Sequence, residues 1–225
     1  MYNDGFEFFL SRHTLHELLL PFDVILGMTT QYKSTISRMA PRYAYGRHRG
    51  PHPFFSHNAA VLVSLVPDPN HGWLIPLTLR SSRMADHAGQ ISLPGGRTEP
   101  NEHAWQTAKR EFEEELGCST GDLHPLRELS PLYIYASKHW VTPVAGLFPS
   151  APLFKPNPDE VAELIMLPIA DLLHSDAVRM GNIQRGKNTI EAPGFAIDHH
   201  FVWGATAMIL AEFRDWCLSE QKFLS

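Results

Sequence analysis

The residues best placed to do chemistry lie in GRTEPNEHAWQTAKREFEEELGC, residues 96 to 118, where Glu111, Glu114 and Glu115 fall within five consecutive positions. At about 100° per residue in a helix, these three carboxylates share about 100° of arc, while Glu113 points away toward solvent. Like charges at such spacings weaken a helix by about 0.2–0.5 kcal/mol per pair. A hard divalent cation taken up through oxygen offsets that repulsion. The plainer reading of the same residues is a solvated acidic face.

The elements that must position these acids can be read outward from them. Ala104, Trp105, Ala108, Phe112 and Leu116 fall within about 120° of arc, a core-facing stripe that predicts a helix from Asn101 to Leu116. Gly117 is the expected residue just past its end. Upstream, AAVLVSLVP and GWLIPLTLR are apolar, β-rich runs separated by the turn-rich PDPNHG, which predicts a hairpin. SSRMADHAGQISLPGG reads as a loop, Leu132 to Ser137 and Trp140 to Leu147 as strands, and Val161 to Leu167 as another. An amphipathic helix is expected from about Ala205 to Leu218. Strands interleaved with two good helices predict a layered α/β domain over residues 57–225. Residues 1–56 read as an N-terminal extension packing on that domain, with a short helix at Thr14 to Leu20 and a loop-like arm, SRMAPRYAYGRHRGPHP.

Composition narrows the function classes. The 225 residues carry a net charge of −5, so no global positive field recommends nucleic acid as a partner. Two cysteines, Cys118 and Cys217, cannot build a multi-bridge secreted framework. Neither a signal peptide nor an apolar run of about 18 residues is seen, so the expectation is a cytoplasmic protein without a membrane partner.

The 96–118 segment resembles the Nudix hydrolase signature, G-x5-E-x7-R-E-U-x-E-E-x-G-U, where U is a bulky aliphatic residue. Gly96, Glu102, Arg110, Glu111, Glu114, Glu115 and Gly117 stand at the required offsets, and Phe112 and Cys118 depart mildly at the U positions. The resemblance implies an α/β/α sandwich with a mixed sheet that hydrolyses a nucleoside diphosphate linked to another moiety. It implies Glu111, Glu114 and Glu115 as ligands of Mg2+ or Mn2+, with Glu111 and Glu114 catalytic, Gly95 and Gly96 in a tight substrate-binding turn, and Glu102 and Arg110 as structural support. One further carboxylate is often recruited as general base. NPDEVAELIMLP offers Glu160, favoured at the strand entrance, and Glu163, whose alternative is a solvent-facing strand residue.

LTLRSSRMADHAGQISLPGG, residues 77 to 96, resembles the coenzyme A pyrophosphatase branch, L-L-T-x-R-[SA]-x3-R-x3-G-x3-F-P-G-G, and WGATAMIL resembles that branch's C-terminal helix entrance. The implied substrate is coenzyme A or its thioesters, cleaved to 4′-phosphopantetheine (or its acyl form) and adenosine 3′,5′-bisphosphate, with Arg80 and Ser81 as substrate contacts. Pro76, Leu93 and Ala85 depart from the motif. In an extended segment, Arg83 shares a face with position 85 and could replace the missing arginine. The competing readings are the same chemistry on NADH, a dinucleoside polyphosphate or a noncanonical triphosphate, and a non-catalytic nucleotide sensor. Arg38, Arg42, Arg47 and Arg49 could reach a 3′-phosphate; solvation or a homodimer contact is the alternative. His87, His103, His139 and the pair His199-His200 show no metal-ligand spacing and read as surface or hydrogen-bonded histidines. Cys217 and the stripe of Trp203, Met208, Phe213 and Trp216 read as core.

Overall fold

The computed structural model describes residues 35–41, 56–83, 89–185 and 188–223. The expected Thr14–Leu20 helix, Arg42, Arg47, Arg49, Ala85 and His87 lie outside them. A helical turn, α1, covers residues 35–39. It is followed by strands β1 (His57–Asp68), β2 (Gly72–Arg80), β3 (Ile91–Ser92) and β4 (Gly95–Arg97), and by helix α2 (Ala104–Leu116). Then come β5 (His124–Glu128), β6 (Leu132–Ile134), β7 (His139–Leu147), β8 (Val161–Pro168) and the short α3 (Ile169–Leu173). A hairpin of β9 (Val178–Arg185) and β10 (Asn188–Ile197) leads through β11 (His200–Trp203) into α4 (Gly204–Phe223).

β1 is the spine of the main sheet. It pairs antiparallel with β2 and β4 and parallel with β7, and this parallel pair makes the sheet mixed. Its apolar residues alternate between two layers, which is why the strand reads as a continuous hydrophobic run. Ala60, Leu62 and Val66 meet Ala108, Phe112 and Leu116 of α2 on one face. Ala59, Val63 and Leu65 meet the layer of Ala207, Leu210 and Phe213 of α4 on the other. Helices on both faces of a mixed sheet are the expected α/β/α arrangement. The small sheet, in order β11-β10-β9, adds Phe195, Ile197 and Val202 to the α4 layer. Ile36 and Met39 of α1 enter that layer too, and the Thr35 hydroxyl bonds the Asp215 carboxylate.

The β1–β2 hairpin forms as expected, its turn held by Asp68, which accepts the N–H groups of Asn70 and His71 at 2.9 Å each. Several boundaries differ from the sequence reading. The loop predicted over residues 81–96 contains β3 and β4. Residues 135–138 turn, with Lys138 at φ 56°, so the strand expected to reach Ser137 stops at Ile134. The final helix runs past Leu218 to Phe223, and β5, β9, β10, β11 and α3 were not expected.

Candidate active site

The start of α2 sets the first group of contacts. Asn101 adopts φ 71°, so the chain turns before the helix, which begins at Ala104 rather than Asn101. Glu102 is thereby left outside the helix. Its carboxylate accepts the Glu99 N–H at 3.0 Å and the Thr107 hydroxyl at 2.9 Å. It also takes Nε of Arg110 at 2.8 Å and Nη2 at 3.1 Å. The Arg110 fork, more than any other partner, holds the Glu102 carboxyl down to about 2. Nη1 of Arg110 donates to Glu111 at 2.8 Å and to Glu114 at 3.1 Å, and Nη2 donates to the Arg97 carbonyl at 2.9 Å.

The three acids sit in different surroundings, with Glu111 close enough to act on both of the others. Glu111 and Glu114 meet at one guanidinium nitrogen, and Glu115 turns inward. Glu115 is 4% exposed, and its Oε1 lies 3.9 Å from Nη1 of Arg80. Its Oε2 and the Nε of Arg80 are both buried without a hydrogen-bond partner. Burial pushes the Glu115 carboxyl up to about 8, and Glu111 and Glu160 push the same way against Arg80 and the Gly95 backbone. Burial also raises Glu111, opposed by Arg110.

Gly95 and Gly96 make this closeness feasible. A Cβ on Gly96 would lie 2.4 Å from the Glu111 carboxyl carbon. A Cβ on Gly95, at φ 155°, would lie 2.3 Å from the Ala60 carbonyl oxygen of β1. Gly117 ends α2 in the left-handed conformation, its N–H on the Glu113 carbonyl at 2.8 Å. Glu113 is exposed but not idle: its carboxylate accepts the Thr120 N–H at 2.7 Å and hydroxyl at 2.6 Å, fastening the turn after the helix.

Glu160 reaches this site because the segment before β8 is tied to the end of α2. The N–H groups of Lys155 and Asn157 donate to the carbonyls of Leu116 and Glu115, each at 2.8 Å. The Glu160 carbonyl in turn accepts the N–H of the buried Ser81 at 2.8 Å. Glu163 goes elsewhere. It shares the face of Ile165 and Leu167, on the α4 side of the sheet, and its carboxylate lies 3.3 Å from Nε2 of His200. Arg83 is in a turn rather than an extended segment, and its Nη1 donates to Asp159 at 2.8 Å. Ala85, the other position in the shared-face argument, lies outside the described residues. Asp159, adjacent to Glu160, was not singled out in the sequence, although the NPDE run carries it.

A cavity of about 640 Å³ opens beside Arg80, Gly95 and Gly96 and runs along Val61, Ile91, Leu93 and Val141 to Trp203 and Met208. Trp203 thus walls a cavity instead of only filling core. Phe213 is fully buried as expected, while Trp216 is half-buried, bonds Glu220 at 3.1 Å and carries the Arg127 guanidinium 5.3 Å from its ring centroid. Cys217 is buried, and burial raises its thiol far above the usual range. Arg38 is 72% exposed and 3.9 Å from Asp215. The His103 N–H caps onto Gln106 at 3.0 Å, and the ring of His139 is tilted against that of His57.

The donor set suits a hard cation. The buried, unpartnered Glu115 oxygen and the upward-shifted carboxyls of Glu111 and Glu115 both mark a deficit of positive charge, and every donor there is oxygen.

Comparison with known proteins agrees with the geometry. A family described as NUDIX domain matches residues 56–185. An uncharacterized Nudix hydrolase, NudL, of Yersinia enterocolitica is 36% identical over 156 residues, which cover 69% of this chain and 78% of that protein. Its namesake in Yersinia pestis is 34% identical over the same length, covering 69% and 77%. A Nudix hydrolase crystal structure from M. smegmatis, RenU, aligns over 51% of this chain and 72% of its own with 24% identity and a TM-score of 0.44.

Proposed function

The chain belongs to the Nudix hydrolase family, an enzyme acting on pyrophosphate-containing, nucleotide-derived small molecules, and from that premise we propose that its substrate is coenzyme A or an acyl-coenzyme A. Water cleaves the P–O–P bridge, giving (acyl-)4′-phosphopantetheine and adenosine 3′,5′-bisphosphate. The observation that supports this reading is Arg80, which lines an apolar cavity together with Gly95 and Gly96 and lies 3.9 Å from Glu115 of α2. That cavity, about 640 Å³, suits a pantetheine or acyl arm, while the polar end receives the diphosphate.

In this reading Glu111, Glu114 and Glu115 hold Mg2+ or Mn2+. Held there, such an ion would supply Lewis-acid chemistry, offsetting charge on the diphosphate and making a nearby water more acidic. Glu160, with its carboxylate close enough to raise both Glu111 and Glu115, takes the proton from the attacking water. Nε of Arg80, a buried donor without a partner, gives its hydrogen bond to a substrate phosphate oxygen. Gly95 and Gly96 let the backbone approach that phosphate, Ser81 fixes the strand end, and Glu102 with Arg110 anchors the loop before α2.

A second reading keeps the chemistry and changes the nucleotide. It draws on Ala85 at the branch's second arginine and on Arg83 being engaged by Asp159. One experiment separates the two: incubation with Mg2+ or Mn2+ and a panel of coenzyme A, acyl-coenzyme A, NADH and dinucleoside polyphosphates, with products identified by mass. Adenosine 3′,5′-bisphosphate from the coenzyme A arm is expected, and its absence beside turnover of another arm refutes the coenzyme A assignment. Glu114→Gln, at an exposed position, is expected to keep the fold and lose turnover by at least about 100-fold. Full activity in that variant removes the metal role of the α2 edge.

A further inference from the structure

Away from the acidic edge, two sheets bring a different donor set together. Glu163 leaves β8 on the α4 side of the main sheet. Asp198 and His199 form the two-residue turn between β10 and β11, with Asp198 at φ 50°, and His200 opens β11 opposite Ile197. His200 shares the strand face of the buried Val202, so its ring points toward the main sheet and is only 12% exposed. Its Nε2 lies 3.3 Å from Oε1 of Glu163, and its ring lies against that of His199 with centroids 3.9 Å apart. One ligand atom from each of Glu163, His199 and His200 lies within 4.8 Å of the other two.

We propose that Glu163, His199 and His200 form a second metal site, for a divalent transition ion of the Zn2+ class, that ties β8 of the main sheet to the β10–β11 turn of the small one. Two imidazoles and one carboxylate, with a water in the fourth position, make a tetrahedral Zn2+ set. Bonds of about 2.0–2.1 Å put such ligand atoms about 3.4 Å apart. The Glu163–His200 pair already has that spacing, and His199, exposed at a turn, closes the remainder by rotating its ring. Nitrogen donors prefer Zn2+ to Mg2+, whereas the all-oxygen set on α2 suits the harder ion. The two sites therefore sort ions by chemistry. The clamp fixes Glu163 three residues from Glu160, so it stiffens the strand that leaves the catalytic loop. Sequence spacing hides the site, because 37 positions separate Glu163 from His200.

The test is a calorimetric Zn2+ titration of the whole chain in excess Mg2+, repeated with Co2+ to read ligand-field absorption. Uptake of one Zn2+ is expected, with a rise in Tm and the intense Co2+ bands of a four-coordinate site. His199→Ala, at an exposed turn where folding is not at stake, and Glu163→Gln are each expected to weaken uptake by about 100-fold. Glu114→Gln is expected to leave it unchanged. Equal Zn2+ affinity in the parent, His199→Ala and Glu163→Gln overturns the proposal, as does no uptake above Mg2+. Loss of uptake in Glu114→Gln overturns it as well, by placing the ion on α2. None of these readings depends on which diphosphate the enzyme cleaves.

Discussion

Glu115→Gln isolates the cost of burying an acid on the inner side of α2. In the folded chain this carboxyl titrates at about 8, against an ordinary value of 4.5, chiefly because it is buried. The folded state therefore keeps a proton that the unfolded chain releases. This contribution to stability is fully present below 4.5 and is lost progressively as pH rises, levelling off above about 8. Integrated between about pH 5 and about pH 8, the loss is on the order of 3 kcal/mol. Glutamine fills the same volume and cannot ionise, so that loss disappears in the variant. The assay is urea unfolding of both proteins in chelator across this range, with the difference in unfolding free energy plotted against pH. Groups that titrate alike in both proteins cancel in the difference. The glutamine variant should gain on the parent by about 3 kcal/mol toward alkaline pH. A difference that stays flat within about 0.5 kcal/mol would falsify the argument that burial holds Glu115 neutral.

Gly96→Ala forces a Cβ against the Glu111 carboxyl, so a loss of about 1–3 kcal/mol in denaturant unfolding and reduced turnover are expected; unchanged values would show that the carboxyl swings away freely. Arg110→Lys keeps the charge but loses the fork to Glu102, which should cost about 1–3 kcal/mol and lower Tm; an unchanged Tm argues that charge alone suffices. Arg83→Ala removes an ion pair whose partners are 72% and 76% exposed, so stability should change by less than about 1 kcal/mol. If Arg83 replaces the missing motif arginine, KM for coenzyme A should rise about tenfold in steady-state assays, and an unchanged KM ends that idea.

The helix at the centre of the site was legible because its apolar residues repeat with the helical period and its acids have fixed offsets. The buried Ala108, Phe112 and Leu116 bear that out. Its first residue was misplaced because Asn101 takes a positive φ, which nothing in the local pattern announces. β1 and β2 were readable as apolar runs between turn residues. HPLRE of β5 and VRMGNIQR of β9 were not, because they are polar strands defined by their partners rather than by their own alternation. The inward turn of Glu115 toward Arg80 depends on contacts between residues 35 positions apart, and the Glu163–His200 pairing on a still longer separation. Trp203 looked like core because an aromatic beside a helix usually is; only the folded cavity shows which side it walls.

The guanidinium of Arg110 has a consequence for the life history of the chain. It spreads its donors over Glu102, Glu111, Glu114 and the Arg97 carbonyl, so a single positive charge already offsets part of the negative charge along the helix edge. On the metal role proposed above, folding and ion loading would then be separate events. A newly made chain would complete its architecture in water poor in divalent ions, and an ion arriving later would replace the Arg110 contacts to Glu111 and Glu114 while those to Glu102 and the Arg97 carbonyl stay.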